Sequence, residues 1–241
     1  VSWNSGSGAG RIVVAREGTA VSWTPSDGSD YTANSDFALA ADQADGNKVV
    51  YNGSGTNFVL TALSEATNYY FKVFEFNGSG ASANYLSTGG VLASNRWTIL
   101  GEPAGQPSAF SVAAVSSTSL TGTWTAAAGS PAADGYIVLR RTGAAPTGAP
   151  EDGRAYTAGD ALGDGVVASV VSPGTVEGVL FSGLTSCTTH YFKVFSFRKL
   201  AASGDTYNYL TGSPASANGA TLCSEPSLQA SNIVFGAVTT N

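Results

Sequence analysis

The chain has 241 residues, 43% of them hydrophobic and 12% charged, with a formal net charge of −6. That length suits two domains of roughly 100–120 residues, each large enough to bury a core of its own. An acidic chain with no Lys/Arg cluster is a poor partner for nucleic acid or anionic lipid, and no stretch approaches the ~18 uninterrupted apolar residues of a membrane helix.

Thirty Gly and nine Pro interrupt short apolar runs, the composition of an all-β protein rich in turns. No Met occurs, so Val1 is not an initiator residue; the chain is expected to be a processed product or an excerpt whose targeting signal has gone. In chain order, "VSW" (1–3) opens a strand that carries Trp3, and "NSGSGAG" (4–10) is a flexible turn. "RIVVAREG" (11–18) is a second strand, and "PSDGSDYTA" (25–33) a turn-rich excursion. "VVYNGSG" (49–55) and "NYYFKVFEFN" (68–77) are β-branched or aromatic runs bounded by Gly, Asn and Ser, which predicts strands. No stretch shows helical periodicity with caps.

The second half repeats the first. "LSEATNYYFKVFEFN" (63–77) matches "LTSCTTHYFKVFSFR" (184–198) without a gap, at an offset of 121 that Trp3 and Trp124 share. "YIVLRRTG" answers "RIVVAREG", "PEDGRAYTA" answers "PSDGSDYTA", and "NYLTGSP" answers "NYLSTGG". The segment "EPAGQPSAFSVAAV" (102–115), which enters the second copy, has its own relative in "EPSLQASNIVFGAV" (225–238) at an offset of 123.

These residues resemble the fibronectin type III family, in the form common in secreted bacterial, especially Bacteroidetes-like, surface proteins. The resemblance implies seven-stranded immunoglobulin-like β-sandwiches in tandem. Trp3 and Trp124 stand at the strand B tryptophan. Leu63 and Tyr69 stand at the Leu-x5-Tyr of the tyrosine corner, and the second copy keeps Leu184 but has His190 in place of the tyrosine. The expected domains are 1–100, lacking the first strand (A), and a complete 101–224. Residues 225–241 are expected to be an orphan strand A that completes the first domain of the next subunit or repeat.

An uncovered sheet edge with apolar pockets is unstable and sticky, and a foreign strand relieves both problems. Ile233, Val234, Phe235, Ala237 and Val238 are therefore expected to donate a strand. Val1, Trp3, Tyr69, Phe71 and Val73 are expected to belong to the domain that accepts it. Head-to-tail joining of this kind gives an open filament. Two versions fit: a mature subunit that polymerises with other copies of itself, or one repeat of a longer covalent array.

Cys187 precedes strand F and Cys223 ends strand G, points that share one pole of this fold. A disulfide between them is expected, and with it an oxidising, extracellular setting at a cell surface. Two Cys and one His lack the spacing of a zinc site. His190, aligned with Tyr69, reads as structural; no "GxSxG" or phosphate-binding glycine pattern is present, so no enzyme and no cofactor is expected. Asp27, Asp30, Asp36, Asp42 and Asp45 could gather calcium, but "DG" at 27–28 and 152–153 is ordinary turn chemistry. Trp23 and Trp97 are not core positions of the family, which leaves a second expectation: a glycan-binding or spacer module of an adhesin or polysaccharide-processing enzyme, meeting host or surface glycans or proteins. The leading expectation is a structural subunit of an extracellular, pilus-like fibre or adhesin stalk.

Overall fold

The computed structural model describes residues 1–172, 179–201 and 206–226. The chain folds as two β-sandwich units in tandem, and among the described residues all is β or loop but for one 3-10 turn at Gly80–Ser82. The first unit contains β1 (Gly10–Glu17), β2 (Asp42–Ala44), β3 (Asn47–Gly53), β4 (Asn68–Asn77), β5 (Asn84–Tyr85) and β6 (Leu92–Trp97). The second contains β7 (Ser108–Ser116), β8 (Ser119–Thr125), β9 (Gly135–Thr142), β10 (Ala161–Leu162), β11 (Gly165–Val171), β12 (Val179–Phe181), β13 (Thr189–Arg198), β14 (Asn208–Tyr209) and β15 (Ala215–Ala220).

Each unit has a larger antiparallel sheet of the same order. In the first it runs β2-β3-β1-β4, with β5 and β6 both on the far side of β4; in the second it runs β10-β11-β9-β13, with β14 and β15 beyond β13. The second unit adds a three-stranded sheet, β12-β8-β7. Two such sheets face to face, joined by these crossovers, make the fibronectin type III-like sandwich.

The continuous apolar runs at the start of β1 and β9 have a simple cause: both faces of the central strand are buried. Ile12 and Val14 join Phe74 and Tyr85 on the outer face, where Trp23 and Tyr31 of the 19–33 excursion cover them. Val13 and Ala15 join Tyr69 and Phe37 on the inner, sandwich face. The second unit repeats the division, with Ile137, Leu139 and Tyr209 outside and Val138, Leu120 and Trp124 inside.

The aspartate of each "DG" turn pins its excursion down. Asp27 accepts a hydrogen bond from Tyr85 N–H (2.7 Å) and Asp152 one from Tyr209 N–H (2.8 Å). The tyrosine hydroxyls donate back to Ser29 O and Arg154 O, each at 2.9 Å. Asp30 takes Gly80 N–H, and Asp42 takes Ala44 and Gly46 N–H. These carboxylates accept hydrogen bonds from backbone amides, the ordinary chemistry of turns.

An ion pair between buried Arg11 and half-buried Glu75 locks the glycine loop. The Arg11 guanidinium lies 3.0 Å from Glu75, and Glu75 also accepts from Gly6 N–H (2.7 Å) and Gly8 N–H (3.0 Å). The Gly8 amide, with Gly6 and Arg11, holds the Glu75 carboxyl below the usual carboxylate range.

Candidate functional site: an uncovered groove in the first unit

The two units differ most on the inner face. In the second, β7 pairs with β8 and sends Phe110 and Val112 onto the core of Leu120, Trp124, Phe181, Phe192 and Val194. Phe110 meets Trp124 edge-on, 5.7 Å between ring centroids. Val112 seats on Gly219 of β15: a Cβ at that glycine would lie 3.3 Å from Val112 Cβ. Gly122 of β8 makes similar room, since a Cβ there would come within 2.8 Å of Phe181 and 3.3 Å of Phe110.

Among the described residues the first unit has no strand in the place of β7. What corresponds to β8 and β12 is a short ribbon, where Ser2 bridges Asn57 and Trp3 N–H donates to Thr56 O at 3.0 Å. The matching side chains are accordingly less covered. Phe192 and Val194 are 1% and 0% exposed in the second unit, whereas Phe71 and Val73 are only half-buried. β15 alternates between half-buried and exposed residues; β6 is exposed from Leu92 to Arg96.

A cleft of about 750 Å³ opens where β7 would lie. Its walls are Val1, Trp3, Phe58 and Leu60 on one side, Leu92 to Trp97 on the other, and Leu63, Tyr69, Phe71 and Val73 at the base. All five residues expected to accept a strand thus line one cleft. The walls are mostly apolar, and the Trp3 indole N–H is a buried donor with no hydrogen-bond partner among the described residues. Arg96, at the register position of Gly219 through the pairs Tyr69↔Arg96 and His190↔Gly219, is the charged residue of the wall.

The base is stiffened by a tyrosine corner: Tyr69, 1% exposed, accepts Ser64 N–H on its hydroxyl at 3.0 Å. In the second unit His190 stands there, 1% exposed, with its Nδ1 3.2 Å from both Thr142 Oγ1 and Arg140 Nη1. Burial, with the Arg140 guanidinium alongside, holds its imidazole below the ordinary histidine range. Its neighbour Cys187 carries no thiol, because Cys187 and Cys223 form a disulfide with Cα atoms 4.3 Å apart. The bond ties the loop before β13 to the segment after β15.

The remaining sequence candidates separate. Trp23 is half-buried on the outer face, edge-on to Tyr31 at 4.9 Å. Trp97 is half-buried at the end of β6 and forms part of the cleft wall. Among the described residues no group of three or more His, Cys, Asp or Glu is placed to hold a metal ion. Ile233, Val234, Phe235, Ala237 and Val238 lie outside the described residues.

Comparison with family models and with curated proteins finds no match. Solved structures do show likeness. The chicken CNTN1 FN1-FN3 domains align with a TM-score of 0.44 at 14% identity, over 88% of this chain and 56% of that one, so the chain spans little more than half of it. The fn3 domain of human collagen alpha-1(XX) aligns at 0.31 and 20% identity, covering 54% of this chain and 97% of the domain. A two-domain fibronectin type III segment of chicken tenascin aligns at 0.30 and 14% identity, over 90% and 87% of the two chains. The strand order and hydrogen-bonded corner described above are what define the sandwich. Among the described residues no helix is long and apolar enough to cross a membrane.

Proposed function

We propose that the chain is a structural subunit or repeat of an extracellular fibre, in which residues 225–241 of one copy complete the first unit of the next. The observation that carries this reading is the cleft of the first unit, open at the place that β7 fills in the second. The occupant is named by the sequence: 225–238 repeats 102–115, which contains the first eight residues of β7. The bacterial surface setting belongs to this proposal, as does export to an oxidising compartment, which the disulfide favours.

Complementary size changes support the choice of strand. Phe110 needs the space left by Gly122; at the matching places the first unit has Val1 and the repeat has the smaller Ile233. Val112 rests on Gly219; there the first unit has Arg96 and the repeat has Phe235. An aromatic ring is a good partner for an arginine stem and guanidinium. Each strand is thereby suited to its own groove, and specificity of this kind comes as much from the misfit of the wrong strand as from the fit of the right one.

Backbone pairing supplies the ladder, and three or four buried side chains contribute roughly 5–10 kcal/mol gross. That is comparable to the stability of a whole domain. Because donor and acceptor are different surfaces, assembly continues end to end. Sedimentation velocity over a concentration series tests the reading: a progression from monomer to linear oligomers is expected. A single monomeric species at the highest concentrations would overturn it.

A further inference from the structure

The second unit holds its entering chain by a glutamine. Gln106, two residues ahead of β7, accepts Ser196 N–H on Oε1 at 2.9 Å, while its Nε2 donates to Gly212 O (3.0 Å) and to Leu210 O. The reason for the contact is a gap in the sheet. β13 pairs with β15 up to Val194 and with β14 from Phe197, which leaves Ser196 between the two. One amide side chain, with its acceptor and two donors, satisfies the strand and the turn together.

The first unit has the same gap. β4 pairs with β6 up to Val73 and with β5 from Phe76, leaving Glu75 between them. Leu86 N–H donates to Glu75 O at 2.8 Å, as Leu210 N–H does to Ser196 O at 3.0 Å. Here, however, a cleft of about 290 Å³ stands in place of the glutamine, lined by Glu75, Phe76, Tyr85, Leu86 and Thr88 among others. The repeat 225–238 carries Gln229 at the position of Gln106.

We infer that Gln229 of a neighbouring copy enters this second cleft, taking Glu75 N–H on its Oε1 and donating to the Leu86 and Thr88 carbonyls. The inference rests on the strand-donor reading above and adds a polar anchor to it. The anchor has a distinct task. Ile233, Phe235 and Ala237 alternate every second residue, so a strand shifted by two residues still points apolar side chains into the main groove. The same shift pulls Gln229 out of the second cleft. Apolar burial supplies the affinity, and the glutamine selects one register.

The test uses the full chain with Ile233→Asp and Phe235→Asp, which keeps its own clefts but makes a poor donor. It is titrated with a synthetic peptide of residues 225–241 and with the same peptide carrying Gln229→Ala. The unaltered peptide is expected to bind about tenfold more tightly or better, from two or three hydrogen bonds at ordinary strength. It alone should shift the Glu75 backbone amide resonance. Equal affinity with no Glu75 shift overturns the glutamine anchor and leaves strand donation standing. Failure of the unaltered peptide to bind overturns both.

Discussion

A chain carrying Ile233→Asp and Phe235→Asp is expected to remain monomeric at concentrations where the unaltered chain forms end-to-end oligomers. Burial of an isoleucine and a phenylalanine contributes roughly 3–6 kcal/mol together. The carboxylate at 233 would be pressed against the apolar Trp3 and Phe58 walls and the one at 235 would meet the Arg96 guanidinium, so the expected loss is that of the apolar burial. Each 1.4 kcal/mol is about tenfold in affinity, so the joint should weaken by roughly a hundredfold or more. The unfolding transition of the second unit should not move, because its groove is filled by Phe110 and Val112 of β7. Sedimentation and calorimetry on the same sample separate the two effects. Persistence of the oligomers would mean that these side chains do not form the joint.

Replacing Cys187 and Cys223 with serine is expected to destabilise the second unit by about 3–4 kcal/mol, for a closed loop with a sequence separation of 36. For a unit of this size that lowers the melting temperature by about 10–20 °C. The first unit, which has no cysteine, should melt as before. The bond has a further consequence. Cys187 N–H donates to Leu222 O at 3.1 Å, and Leu222 N–H donates to Ser116 O at 3.1 Å. The disulfide therefore fastens the root of the segment that begins at Ser224 to the body of the unit. In the proposed fibre, that is where tension would enter the second unit, so the serine variant should also shorten the lifetime of the oligomers under shear or mild denaturant. A second-unit transition displaced by less than about 2 °C would show that the bond is not a main support.

Much of this architecture is legible in the residues because it is built from local patterns repeated twice. The gapless match of 63–77 with 184–198 places β4 and β13, and the shared tryptophans place the inner face. Leu63 and Tyr69 announce a corner that the Ser64 amide completes. The outer face is harder to read. A strand with both faces buried shows as an unbroken apolar run, "RIVVA" or "YIVL", and such a run does not say what covers each side. Hence Trp23, which covers β1 against Tyr31, looks exposed from sequence alone.

The polar anchors are the least legible. Glu75 meets Gly6, Gly8 and Arg11 across more than sixty residues, and Gln106 meets Ser196 and Leu210 across about a hundred. Only the strand register brings those groups together. The retained glutamine at 106 and 229 is the one sequence signal that pointed to the second anchor, and its meaning emerges from the gap beside Ser196.

The central claim is that residues 225–241 of one copy lie in the first-unit groove of another, and a cysteine pair tests it most directly. Val112 Cβ lies 3.3 Å from the Cβ that a side chain at position 219 would carry, close to the spacing of a disulfide. The matching pair across the joint is Phe235 and Arg96. A chain with Arg96→Cys and Phe235→Cys, assembled and then oxidised, should give a ladder of covalently linked oligomers on denaturing, non-reducing electrophoresis, with the 96–235 linkage joining different copies in mixtures of isotopically heavy and light chains. A 96–235 linkage confined to single chains, or no linkage at all, would contradict it.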